Sequence, residues 1–144
     1  MAISRLSRWF GRRRLAPHLR TGLWGERQAA RALRARGYRI LHRRLRLGRK
    51  EELDLVAQQD GVLVFVEVKT RSVAGLARPL QAVDRHKRRR LSRAAARYLR
   101  RMRRKPEAIR FDVIEVIGAS DGPPPTIRHI EGAFHIDPHH DVTW

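Results

Sequence analysis

The sequence predicts an α/β domain in which a mixed central sheet is flanked by helices. Three observations carry that expectation: an apolar stripe at helical spacing between Gly22 and Arg36, a β-branched run from Val62 to Thr70, and a second helical stripe around Leu91 to Met102 with another alternating strand after it. The resulting order is helix, three strands, helix, then one or two strands.

Residues 1 to 20 carry six arginines and no acid, with Pro17 near their end, and read as a flexible basic arm, either a solvated tail or a grip on nucleic acid. From Gly22 to Arg36, Leu23, Ala30 and Leu33 recur at helical spacing, and Gly37 stands where a helix C-cap belongs. Tyr38 to Leu47 is an extended, arginine-rich first strand ended by Gly48-Arg49-Lys50. Glu52 to Gln58 alternates Leu53, Leu55 and Ala57 against Glu52, Asp54 and Val56, and Asp60-Gly61 supplies a hairpin turn. Val62 to Thr70 is apolar on both faces until its end, which suits a central strand.

Residues Ser72 to Pro79 form a loop. Leu91, Ala94, Ala95, Tyr98, Leu99 and Met102 then give a helical stripe that runs to about Arg104 before Pro106 stops it. Ile109 to Ile117 sets Phe111, Val113, Glu115 and Ile117 against Asp112, Ile114 and Val116 as a fourth strand. Gly118 to Pro125 must loop, Thr126 to Glu131 is a short edge strand, and residues 135 to 144 read as a tail. The domain proper is thus expected over residues 21 to 134.

Length and charge narrow the classes of function. A chain of 144 residues is long enough for one real core but not two. With 33 Lys and Arg against 14 Asp and Glu, the formal net charge is +19, yet 42% of residues are hydrophobic, too many for a disordered polycation. No apolar run approaches the roughly 20 residues of a membrane helix, and the first residues lack a secretory core. The absence of cysteine removes disulfides, Cys-ligated zinc and thiolate catalysis, and fits a reducing cytoplasm. Arg outnumbers Lys 29 to 4, and its fork matches phosphate oxygens, so nucleic acid is the expected partner, ahead of an anionic membrane surface or the ribosome.

In so basic a chain the few acids are informative. Glu26 is the only acid among the first fifty residues and falls on the apolar stripe, where a carboxylate is costly unless it is paired with an arginine or bound to a cation. If the second and third strands pair through Asp60-Gly61, Asp54 and Glu67 lie opposite each other, within roughly 5 Å. Two carboxylates that close repel, and one takes up a proton unless a divalent cation sits between them. Lys69 follows on the same face as Glu67. Phosphodiester hydrolysis needs an activated water, a stabilised pentavalent phosphate and a neutralised leaving group, and carboxylate-held magnesium with a neighbouring lysine supplies them.

The motif Glu52-Leu-Asp54-Leu-Val-Ala, followed by Leu63-Val-Phe-Val-Glu67-Val-Lys69-Thr-Arg71, resembles the YraN family, small bacterial proteins regarded as endonucleases of the PD-(D/E)xK superfamily and similar to archaeal Holliday junction resolvases. Gly25-Glu26, Ala82-Val83 with Lys87 at the start of the second helix, Arg110-Phe-Asp112-Val-Ile, Ile127-Arg-His-Ile and Ala133-Phe134 extend the likeness over about residues 21 to 134. One departure is visible: Glu51 stands where the family commonly has glycine.

The resemblance implies a restriction-endonuclease-like fold. It also implies a Mg2+- or Mn2+-dependent endonuclease acting on branched DNA. Asp54 and Glu67 would ligate the metal with help from the Val68 carbonyl, Lys69 would stabilise the attacking water or transition state, and Glu26 would complete the acidic pocket. A homodimer is implied as well, because a junction is two-fold symmetric.

Lys87 falls on the second helix's apolar stripe, placed either to reach the site or a phosphate, or to snorkel into solvent. Twelve of the 21 residues from Arg85 to Lys105 are basic. Arg88, Arg89, Arg93 and Arg97, with Lys87 and Arg71, are the expected phosphate contacts. Gln81 is a weaker candidate for binding a water or base. The His-rich end (His135, Asp137, His139, His140, Asp141) lacks the spacing of a metal site, and Trp9, Trp24 and Trp144 are too scattered for a stacking platform. The competing expectation is a non-catalytic nucleic-acid-binding module of the same fold, its acids serving in salt bridges to arginine.

Overall fold

Residues 15–77 and 83–136 are described by the computed structural model of the chain. Most of the basic arm, Gln81, and the tail from residue 137 with its imidazoles and acids lie outside them, as do Trp9 and Trp144.

Helix α1 (Pro17–Ala35) starts inside the stretch expected to be arm. Proline has no N–H to lose and its fixed φ suits the first helical position, so Pro17 opens the helix rather than closing the arm. Gly37, at φ 88°, ends it. The Gly37 N–H donates to the Arg34 carbonyl and the Tyr38 N–H to the Leu33 carbonyl, each at 3.0 Å, which satisfies the last orphan acceptors.

Three antiparallel strands follow, β1 (Arg39–Arg46), β2 (Glu52–Gln59) and β3 (Val62–Arg71). Asp60 (φ 50°) and Gly61 (φ 77°) are both left-handed, the geometry a two-residue hairpin needs to match strand twist. A 3-10 turn at Ala74–Ala77 leads towards helix α2 (Arg85–Arg101), then β4 (Ala108–Ile117) beside and parallel to β3, and β5 (Thr126–Phe134) antiparallel to β4. The sheet order is β1-β2-β3-β4-β5, a mixed sheet in an α/β fold.

Three further expected boundaries shift. The Asp84 carboxylate accepts the Lys87 N–H at 2.7 Å and caps α2, so Val83 lies before the helix, buried in the core, rather than in its first turn. At its other end α2 stops at Arg101, three residues short, and the Lys105 ammonium folds back onto the Leu99 carbonyl. Strand β5 runs past Glu131 to Phe134, because the slip in pairing between Phe111 and Val113 lets Gly132 (φ 59°) donate its N–H to the buried Asp112 carboxylate. Arg110 and His129 complete that carboxylate's shell, at 2.8 and 2.7 Å.

The helices pack on opposite faces of the sheet. Leu91, Ala94, Ala95, Tyr98 and Leu99 of α2 meet Leu63 and Phe65 of β3, while Trp24, Ala29, Ala30 and Leu33 of α1 meet Val64 and Val66. A strand apolar on both faces is thereby buried on both, as its composition predicts. Strand β2 departs from strict alternation: Leu53 joins the α2-side cluster while Leu55 and Ala57 join the α1 side. The irregularity falls at Asp54.

Candidate active site

The paired positions of β2 and β3 end at Leu55 opposite Val66, so the next positions outward are Asp54 and Glu67. Here the strands part and side chain replaces backbone: Asp54 Oδ2 accepts the Val68 N–H at 2.8 Å. The carboxylate is thus pinned to β3 at the place where the ladder stops. Burial pushes the Asp54 carboxyl up to about 8, and the neighbouring Glu67 charge adds to the push, against the lowering effect of the Val68 N–H.

Glu67 is buried, 6% exposed, at the C-terminal end of β3. Two ammonium groups address the same oxygen, Lys87 Nζ at 3.0 Å and Lys69 Nζ at 3.7 Å from Oε1. Lys69 comes from the same strand two positions on, and Lys87 comes across from the first turn of α2. Of the two positions open to Lys87, reaching the site and snorkelling outward, the fold takes the first.

Glu26 arrives from α1. Its Oε2 is buried without a hydrogen-bond donor, and Arg44 Nε stands 3.8 Å away. Burial raises its carboxyl above the ordinary range, Arg44 opposes that, and Glu52 and Glu67 reinforce it. Glu26 sits so close to the sheet because Gly25 precedes it. A Cβ at Gly25 would overlap Thr70 Oγ1 and lie 3.1 Å from Thr70 Cβ, so only glycine lets α1 press onto the end of β3.

Arg44, which sequence reasoning did not single out, has φ 49° and spans Glu26 and Glu52, with its Nε 3.5 Å from Glu52 Oε1. No local pattern in the sequence marks it.

The other expected contacts divide. Arg71 turns inward, donating to the buried Glu115 carboxylate at 2.7 Å and to the Gly75 carbonyl at 2.7 Å. Its guanidinium thereby braces the loop after β3. Glu115 also meets Arg128 at 3.4 Å, and its place on an apolar strand face was the available signal of a buried ion pair. Arg97 and Arg93 are exposed and lean on Glu51, at 2.9 and 3.9 Å. Glu51 therefore ties the β1–β2 loop to α2. Arg88 is exposed, its Nε donating to the Val83 carbonyl at 2.8 Å and its guanidinium lying over the Phe134 ring, and Arg89 is exposed on the same helix. Trp24 belongs to the core.

The arrangement brings Asp54, Glu67, Lys69 and Lys87 together and sets Glu26 beside them. Among the described residues no three His, Asp or Glu side chains are placed to hold a metal ion by themselves. The donor set still fits magnesium or manganese, which bind through one or two carboxylates and keep their other positions for water and phosphate oxygens. Two mutually repelling carboxylates and an orphaned Glu26 oxygen are the deficit a divalent cation relieves.

A mixed five-stranded sheet between helices, with Glu67 and Lys69 on its central strand and Asp54 on the strand beside it, defines an α/β protein compatible with the restriction-endonuclease-like class. The family model described as "Uncharacterised protein family UPF0102" matches residues 25–116, and the chain belongs to that family. Among similar proteins, each called a UPF0102 protein, one from Symbiobacterium thermophilum is 49% identical over 116 residues, covering 81% of this chain and 97% of the relative. One from Rhodococcus opacus is 41% identical over 120 residues, covering 83% and 100%. A third, from Myxococcus xanthus, is 43% identical over 126 residues, covering 85% and 96%.

Proposed function

We propose that this protein is a metal-dependent DNA endonuclease of the YraN type, hydrolysing phosphodiester bonds in branched DNA in the cytoplasm. The observation that carries the reading is the contrast between its acids. Of the acids carried by its strands, Glu52, Asp112, Glu115 and Glu131 each have an arginine within 4 Å, as a binding module's structural acids would. Among the described residues Asp54 has no such arginine, and Glu67 is met by lysines alone. Leaving two such carboxylates side by side is costly, and a metal site is the chemistry that makes use of it.

Asp54 and Glu67 would hold Mg2+ or Mn2+, which supplies a water of lowered pKa and neutralises charge at the leaving oxygen. The chain's own residues do the rest. Lys69 sets a positive charge where the pentavalent phosphate gains negative charge. The basic face of α2, with Arg88, Arg89, Arg93 and Arg97, holds the phosphate backbone next to the site. No described helix is long and apolar enough to cross a membrane.

Labelled junction and linear DNA incubated with Mg2+ or Mn2+ test the reading. The wild type nicks, Asp54→Ala and Lys69→Ala do not, and all three bind DNA. A wild type that binds DNA but cuts neither substrate with any divalent metal would establish the binding module instead.

A further inference from the structure

The first turn of α2 reads Arg85-His86-Lys87-Arg88 and contains no acid. Cations at a helix N-terminus oppose the helix dipole, so this placement works against the helix itself. Lys87 has a partner that explains it. Its ammonium is 3.0 Å from Glu67 Oε1, closer than Lys69 of the motif at 3.7 Å. Together the two ammonium groups bring to one buried carboxylate the charge of a single divalent ion.

We propose that Lys87 is an internal cation that stands on Glu67 until a divalent ion takes its place, and that it then passes to a DNA phosphate, so that metal and DNA bind cooperatively. This rests on the reading of Glu67 as a metal ligand. An ion arriving at Glu67 meets two positive charges that must withdraw. Lys69 springs from the same strand as Glu67, and its backbone is paired in register with Glu115 of β4, so it remains beside the site. Lys87 springs from a different element, and although its side chain is no more exposed than that of Lys69 (31% against 34%), the exposed Arg88 and Arg89 follow it on the helix. A phosphate bound on that face offers the released ammonium an anion in exchange for Glu67. DNA thereby lowers the cost of metal entry, and by reciprocity metal raises DNA affinity.

The experiment measures Mn2+ binding to the full chain by calorimetry, with and without a phosphorothioate duplex that resists cleavage. Wild type, Lys87→Met, Lys87→Gln and Lys87→Arg are compared, and folding is checked by circular dichroism. Without DNA, the Met and Gln variants bind Mn2+ about tenfold more tightly than wild type, because a like charge beside the ion has gone, and Lys87→Arg stays near wild type. DNA tightens Mn2+ binding to the wild type and has much less effect on the Met and Gln variants.

Equal Mn2+ affinity across wild type and the neutral variants, or the same DNA effect in all of them, would overturn the proposal even in a protein that nicks DNA. Tighter binding by the neutral variants in a protein that never nicks upholds it while the nuclease reading fails. If no variant binds Mn2+, both fall.

Discussion

Replacing Gly25 by alanine tests the close approach that carries Glu26 to the sheet. Alanine at a helix-interior glycine gains about 1 kcal/mol in propensity. Against this, the new methyl would overlap Thr70 Oγ1 and press on Thr70 Cβ at 3.1 Å and Cγ2 at 3.2 Å, and overpacking of this kind costs about 1–3 kcal/mol. With backbone-anchored β3 on the far side the upper end applies, so Gly25→Ala loses about 2 kcal/mol net. For a chain of this length that is a fall in melting temperature of about 4–8 °C.

Thr70→Ala removes the hydroxyl and Cγ2 and leaves only a contact that a few tenths of an ångström relieve. In that background Gly25→Ala becomes neutral or stabilising, which gives a coupling of about 2 kcal/mol in a double-mutant cycle read by thermal and urea unfolding. Additive effects, or a Gly25→Ala protein that melts above wild type on its own, would refute the argument that glycine is required for α1 to seat Glu26.

Two further predictions concern charge. Asp54 titrates near 8 in the folded protein and near its ordinary 3.8 when unfolded, so between those values the folded state binds more protons and stability falls as pH rises. Urea unfolding of the metal-free protein at about pH 5 and pH 8 shows that loss in wild type, and Asp54→Asn reduces it; an unchanged difference between the two pH values would reject the raised carboxyl. Reversing Arg89 and Arg93 to Glu weakens DNA binding and lowers the log–log salt slope by about two units, while Mn2+ binding stays as in wild type. A flat salt response of the wild type would remove α2 as the phosphate surface.

Much of the fold was legible because its signals are local. The left-handed pair Asp60-Gly61 set the β2–β3 register, which puts Asp54 and Glu67 at the first positions beyond the ladder. Gly37 marked the end of α1, and the two-sided apolar run marked β3 as central. The misplaced ends have local explanations too, since Pro17 serves equally well to close an arm or open a helix. Breaking of the alternation at Asp54, where Leu53 and Leu55 go to different faces, follows from a side chain taking over a backbone hydrogen bond, and no period-2 pattern encodes that.

The sequence by itself determined an α/β chain, a hairpin whose ladder stops just short of two acids, and a surplus of positive charge concentrated on one helix. Tertiary structure decided which cation meets which acid: Lys87 on Glu67 rather than in solvent, Arg71 on Glu115 rather than facing outward, Arg97 on Glu51, and Arg44 between Glu26 and Glu52. The reason is combinatorial as well as physical. With 33 Lys and Arg available to 14 acids, every acid has many candidate partners along the chain, and Coulomb attraction at these short ranges selects among them only after the helices have packed.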